Sequence, residues 1–418
     1  MFPRIRLLVL GVLLFGTAIG RVSGQVPDEN LPSDPQLVAR LTDGTRLTGH
    51  LQRIDADGTV TFRPSGDGEP LRNWKLTQVV SIDRVGDSPP SVPEGPFLLF
   101  PDGDRLRGSP VRADETKLSL ATSGIGPLDV PLESALGWII TPPSEPEALE
   151  AIVRAIREEL GGQEVLWLSN GDRLEGSFLG LAADNLEFRS RGGELRPPRK
   201  EVRALAFDPK LVDYPRPRGA YLECYLTDGS RLGLSDLRCA RGEIDANARF
   251  GTALRIPIGS VTRLVIRSTA VEYLSERGED AVKSTGYLGK ARPYRRDASA
   301  EGRPIRLDGR PHDHGLGMPS RTLLAYKLDG SAARFQATIG LDDRAGSLGS
   351  VVFRVRLDDR ELFASPPMAE GSGTIDLDLD IRRGRVLILE ADFGERGDVR
   401  DLADWAEARL IRDDWAGR

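Results

Sequence analysis

Apolar and polar residues alternate along most of this chain in short runs, separated by Gly, Asp, Asn and Pro. Alternation of that kind predicts half-buried strands, each with one face in a core and one in water. The run Ile375-Asp376-Leu377-Asp378-Leu379-Asp380-Ile381 is the cleanest case, and 335–339 and 351–357 behave alike. Val386-Leu387-Ile388-Leu389 lacks polar alternates and reads as a strand buried on both faces. One segment follows a helical period instead. Leu149, Ile152, Ile156 and Leu160 form a stripe over 144–161, opened by the capping box Ser144-Glu145-Pro146-Glu147 and closed by Gly161-Gly162.

The strand pattern repeats. Leu41-Thr42-Asp43-Gly44-Thr45-Arg46-Leu47 recurs as Phe100-Pro101-Asp102-Gly103-Asp104-Arg105-Leu106, Leu168-Ser169-Asn170-Gly171-Asp172-Arg173-Leu174 and Leu226-Thr227-Asp228-Gly229-Ser230-Arg231-Leu232, at spacings of 59, 68 and 58 residues. Each Asp-Gly or Asn-Gly predicts a tight hairpin with both turn residues at positive φ. The Asp is expected to bond its own backbone and the Arg to decorate a solvated strand. The repeats span 36–86, 94–141, 163–209 and 219–267, and each turn with its later Gly resembles the opening of an Sm-like or SH3-like small barrel. A helix between the second and third repeats suggests two paired halves.

Composition narrows the chemistry. Gly (46) and Pro (29) are in excess, which suits turns and short strands. A net charge of −6 provides no cationic surplus for a nucleic-acid backbone. Two cysteines and three histidines leave little material for a zinc site. Arg4 and Arg6, the apolar run from Leu7 to Gly20 and a small-residue exit read as a secretory signal over 1–24, with a retained anchor as the alternative. The expectation is an exported, periplasmic or extracellular protein with no membrane span after signal removal. Export would expose Cys224 and Cys239 to oxidation, leaving either a disulfide or two buried thiols.

From about residue 268 the Asp-Gly pattern stops and longer strands begin. Blocks at 271–275, 314–320 (His-Gly-Leu-Gly-Met-Pro-Ser), 335–343, 349–355 and 401–408 (Asp-Leu-Ala-Asp-Trp-Ala-Glu-Ala) follow in order. Together they resemble the NPCBM family, the carbohydrate-binding modules of glycosyl hydrolase family 98, over 268–414. The resemblance implies a galactose-binding-like jelly-roll β-sandwich that takes glycans and sometimes holds structural calcium. Leu402 and Met318 stand where family members often carry His. The fold expectation is therefore all-β: four tandem curled-sheet repeats with one inserted helix, then a sandwich.

A sugar site needs a flat ring face and planar polar groups beside it. Trp405, Asp404 and Asp401 offer both within five residues, and His314 and His312 are the further candidates. Asp342 and Asp343, hard carboxylates at a turn, are the possible calcium ligands, with no other cofactor expected. No nucleophile elbow, phosphate loop or singled-out carboxylate pair appears, so no enzymatic activity is expected. The reading is a secreted, non-catalytic glycan-binding protein whose repeats act as scaffold or bind a protein partner. The alternative is an envelope assembly protein whose sandwich binds protein.

Overall fold

The computed structural model describes residues 35–66, 68–86, 93–182, 184–287, 291–395 and 397–412, so the secretory-signal expectation lies outside the described residues. Among the described residues the fold is all-β apart from one α-helix and short 3-10 turns. The N-terminal region folds as successive small units of one design. In the first, Leu37–Leu41, Arg46–Ile54, Thr59–Pro64 and Arg72–Lys75 form an antiparallel meander, and a 3-10 turn leads into Val79–Arg84, which returns to pair with Leu37–Leu41. The unit ending in Val261–Arg267 has the same order.

The hairpins that open the units are not the turns expected. Gly44, Gly171 and Gly229 have φ of +91°, +96° and +86°, but only the second unit's Asp102, at +58°, joins its Gly there. Elsewhere the Asp or Asn side chain accepts from the amide two residues on, as Asp43 does from Thr45 at 2.8 Å and Asp228 from Ser230 at 2.9 Å. This local bond holds the turn with one positive φ, so Gly alone carries the unusual conformation.

Pairing between units crosses the chain order. The closing strand Val79–Arg84 of the first unit pairs with Val261–Arg267 of the last, Ile82 opposite Leu264. Cys239 and Ala240 then meet Ile54 and Arg53, so six strands close a ring of hydrogen-bonded neighbours. The middle units do the same: Gly137–Ile139 pairs with Val202–Ala206, and Leu181 meets Ala113. Two pairs thus exist, but the helix sits inside one pair rather than between the two. A single apolar core runs through both, including Phe62, Trp138, Phe188 and Ile256. Cys224 and Cys239 lie buried in it, unbridged, with Cys224 in register with Leu232.

The helix is shorter than its stripe implied. It runs Pro146–Arg157 with Glu145 as an N-cap that makes no side-chain capping bond, so the box centred on Ser144 does not form. Leu149 and Ile156 pack with Phe97, Ile139 and Ala204 over the seam where the middle units join, while Leu160 lies beyond the helix, 88% exposed. Gly137 permits this approach, since a Cβ there would lie 2.8 Å from Ile156 Cγ2.

The C-terminal sandwich has two sheets. One orders Arg295–Arg296, Gly315–Pro319, Leu402–Arg412, Ala332–Leu341 and Ile375–Asp380, with Val271–Tyr273 also on Leu402–Arg412. The other orders Ala281–Ser284, Thr322–Lys327, Val386–Phe393, Ser350–Leu357 and Arg360–Ala364. Their facing side chains form a separate core around Phe335, Phe353, Tyr326 and Trp405. The first sheet turns its outer face to the repeats, where Val271, Tyr273 and Ile411 pack on Val80. The sandwich therefore covers the seam of the outer pair as the helix covers that of the inner pair.

Candidate functional site

Leu402–Arg412 runs between Gly315–Pro319 and Ala332–Leu341, and ten of its eleven residues are buried. Burial on both faces corrects the expectation drawn from its sequence. Trp405 points into the sandwich, edge-on to Phe353 at 5.2 Å between centroids, and offers no open ring face to a sugar. Asp404 is on the opposite face yet equally buried, and neither carboxyl oxygen has a hydrogen-bond donor. Burial, reinforced by neighbouring Asp342, pushes its pKa well above the usual carboxylate range. Asp401 accepts from Ser320 Oγ and from the Ser350 amide at 2.8 Å, tying two strands together. These three residues are structural in this arrangement.

The two candidate calcium ligands are similarly engaged. Asp342 accepts from the Arg344 amide at 2.9 Å, and Asp343 from the Gly309 amide at 3.0 Å. Among the described residues no group of three or more His, Cys, Asp or Glu side chains is placed to hold a metal ion.

His312 and His314 face the repeats rather than bulk solvent. His314 Nε2 lies 3.4 Å from Glu223, its Nδ1 3.7 Å from Asp297, and its ring packs on Tyr273 at 4.4 Å. Burial opposes its charge, but Glu223 and Asp297 outweigh that and raise its pKa to about 9. Glu223 also pairs with Arg231 at 2.9 Å, and although burial pushes its carboxyl up, Arg231 and His314 hold it well below the carboxylate range. Asp313 lies 3.5 Å from both Arg105 and Arg231. On the other side of the strand, Glu407 joins Arg263 at 3.1 Å and His312 at 3.8 Å. Arg105 and Arg231, expected on solvated strands, are buried here, which corrects that reading for the second and fourth repeats.

Two cavities flank this junction. One, of about 700 Å³, lies between the first unit and the outer sheet face, bordered by Arg40, Asp83, Gln336, Thr338, Asp376 and His312. The other, of about 480 Å³, lies between the helix, the second unit and the sandwich, and both histidines border it. Neither is lined by Trp405, Asp404 or Asp401. Burial and arginine neighbours act in opposite senses on the lining carboxylates, and wherever a pKa is displaced, as at Asp102, Asp313, Asp376 and Glu407, it is displaced downward. Acids held ionised do not serve as proton donors to a leaving group.

An open aromatic face lies elsewhere, at Tyr287. Its side chain is 63% exposed and braced edge-on against Phe393 at 5.4 Å. The Tyr287 amide donates to Asp398 Oδ2 at 3.0 Å, and Arg292 donates to the Asp398 carbonyl at 3.3 Å. Gly397 lies beneath the ring, where a Cβ would come within 3.2 Å. Asp398 thus ties the backbone at Tyr287 and the side chain of Arg292 together beside the exposed ring. The sequence signal was weak, a lone Tyr in a Gly- and Lys-containing loop with no alternation around it.

Comparison with known proteins finds similarity to the C-terminal part of the chain. Residues 271–411 match the NPCBM/NEW2 domain. The chain is 26% identical over 180 residues to a protein of Renibacterium salmoninarum named "Putative endo-alpha-N-acetylgalactosaminidase", a match covering 40% of this chain but only 12% of that one. Among solved structures it is similar to a CBM51 module of a Clostridium perfringens GH95 protein in complex with methyl-galactose, at 23% identity and a TM-score of 0.31, covering 34% of this chain and 99% of that one. It is also similar to the tandem CBM51 modules of a Streptococcus pneumoniae family 98 glycoside hydrolase, at 13% identity and a TM-score of 0.30, covering 62% and 90%. The family match thus falls on the C-terminal sandwich, and the chain spans about an eighth of the length of the curated relative it matches.

Proposed function

We propose that this chain is an exported, non-catalytic carbohydrate-binding protein that takes a galactose-type sugar on the Tyr287 face. The observation that carries the reading is the match of 271–411 to the NPCBM/NEW2 domain. The Tyr287 ring would supply the apolar platform, and Asp398 and Arg292, joined to each other and to the Tyr287 backbone, are the nearby polar groups. The repeats act as a scaffold that holds the sandwich by its outer sheet face. The absence of catalysis is supported by the downward-displaced carboxylates of both cavities. Among the described residues no helix is long and apolar enough to cross a membrane.

Titration of the whole chain with galactose, followed by NMR or calorimetry, tests the reading. A dissociation constant on the order of 0.1–1 mM is expected, about 4–5.5 kcal/mol, as suits a shallow face. Tyr287→Ala should abolish it without changing the melting temperature, because the ring is mostly exposed. Wild-type protein that binds no neutral sugar at millimolar concentration would sink the assignment. The assembly-protein alternative draws on one observation, that the sandwich already uses its outer sheet face to bind protein, namely the repeats of its own chain.

A further inference from the structure

The 480 Å³ cavity is built from three parts of the chain and takes no part in the Tyr287 face. Its size is within the roughly 300–1,000 Å³ usual for ligand pockets. One wall is apolar, made by Phe97, Leu99, Leu149 and Val153. The rest carries guanidinium and carboxylate groups in equal number, six of each, and most of the guanidiniums are satisfied. Arg105 and Arg231 share Asp313, Arg216 pairs with Asp102 at 2.9 Å, and Arg303 pairs with Glu150 at 2.9 Å.

Arg154 and Arg157 are different. Both are exposed residues at the rim of the cavity, three residues apart on one helix face, and neither has an ion-pair or hydrogen-bond partner among the described residues. A helix C-terminus favours basic residues in its last turn, which accounts for their presence there. It does not account for their placement beside two further guanidiniums. Arg157 feels this crowding although its side chain is exposed to solvent: partial desolvation at the cavity mouth lowers its pKa, Asp313 opposes the drop, and Arg105 and Arg231 add to it. Glu158, also on the lining, is exposed at the helix C-cap. The cavity therefore offers an apolar wall beside an unneutralised, forked cation, the arrangement that suits a pyranose bearing an oxyanion.

We infer that this cavity binds an anionic sugar unit, carrying a carboxylate or a sulfate ester, with Arg157 as the group that pairs with its charge. The inference rests on the carbohydrate-binding reading and adds a second subsite of different chemistry. The sugar's apolar face lies on Leu149 and Val153, and its anion meets the Arg157 fork, with Arg154 adding field strength.

The test titrates the full-length chain with galacturonate, galactose 6-sulfate and galactose in parallel. One or both acidic sugars should bind, the pair of arms showing which oxyanion is preferred, and binding should weaken in high salt. Arg157→Ala should weaken that binding about tenfold, the factor that 1.4 kcal/mol represents. Arg157→Lys should fall between, keeping the charge but losing the fork. The melting temperature and galactose binding should not change in either variant. Acidic sugars that fail to bind at millimolar concentration, or that bind Arg157→Ala as well as wild type, overturn the inference. If galactose still binds and Tyr287→Ala still abolishes it, the proposed function survives that failure. If the acidic sugars bind through Arg157 while galactose does not bind, only the Tyr287 assignment falls.

Discussion

The same turn sequence meets two fates in this molecule. In the first and third repeats the arginine after Asp-Gly or Asn-Gly stays in water: the side chains of Arg46 and Arg173 are 50% and 44% exposed. In the second and fourth, Arg105 and Arg231 are only 8% and 3% exposed and hold the junction together. Nothing in the local sequence separates the two classes. What separates them is how completely another module seals that edge: the sandwich reaches Arg46 through Asp376 at 3.2 Å yet leaves its side chain half exposed, whereas it closes over Arg105 and Arg231 through Asp313. A guanidinium at the surface contributes little, whereas one sealed beneath another domain must be matched by buried acids, as Arg231 is by Glu223, Asp104 and Asp313.

The contrast can be broken most severely at Arg231. Arg231→Ala should cost about 3–5 kcal/mol, since it strands buried carboxylates without their cation; chemical denaturation reads this directly, and a loss below 1 kcal/mol would refute the account. A turn comparison comes next. Gly103→Val and Gly171→Val both force a β-branched residue to positive φ, a penalty of about 1–2 kcal/mol. Only the first also drives a Cβ to within 2.6 Å of Arg231 Nη1, while nothing lies within 4 Å of the second. Gly103→Val should therefore be clearly the worse, and proteolysis should show damage beyond its own repeat, because the repeats share one core.

Titration sharpens the comparison further. The pKa of His314 is raised to about 9 in the fold from an ordinary 6.5. Its contribution is thus complete below about pH 6.5 and lost as pH climbs to 9, on the order of 3 kcal/mol in all. His314→Gln should flatten that alkaline slope in thermal melts, and an unchanged slope would place the titration elsewhere. The smallest effect belongs to Arg173→Ala, expected within about 0.5 kcal/mol of wild type.

Much of this architecture was legible in the sequence. Alternation located the strands, and the Asp-Gly and Asn-Gly pairs located hairpin turns, because both depend on neighbours close along the chain. The errors share one physical origin. Asp404, Glu407 and Arg409 sit in a strand whose polar residues read as solvent-facing, yet the repeats and the Ile305–Leu307 hairpin cover that face. Trp405 looked like a platform because it stands within five residues of Asp401 and Asp404. Its strand is in fact central in its sheet, which no local pattern records. Partner choice among the units was equally hidden, since each closing strand is apolar and could have met any other.

The pairing of first with last and second with third has a consequence for synthesis. As the chain emerges from the ribosome, the two inner units can join as soon as Val202–Ala206 is available, using contacts of modest sequence separation. Val79–Arg84 must wait with an unpaired edge until Val261–Arg267 follows, nearly two hundred residues later. The arrangement closes like nested parentheses, innermost first, and long-separation pairings of that kind are slow to form. During the wait the first unit presents a strand edge that other chains could capture. The vulnerable interval of this protein's life is therefore before its fourth repeat exists.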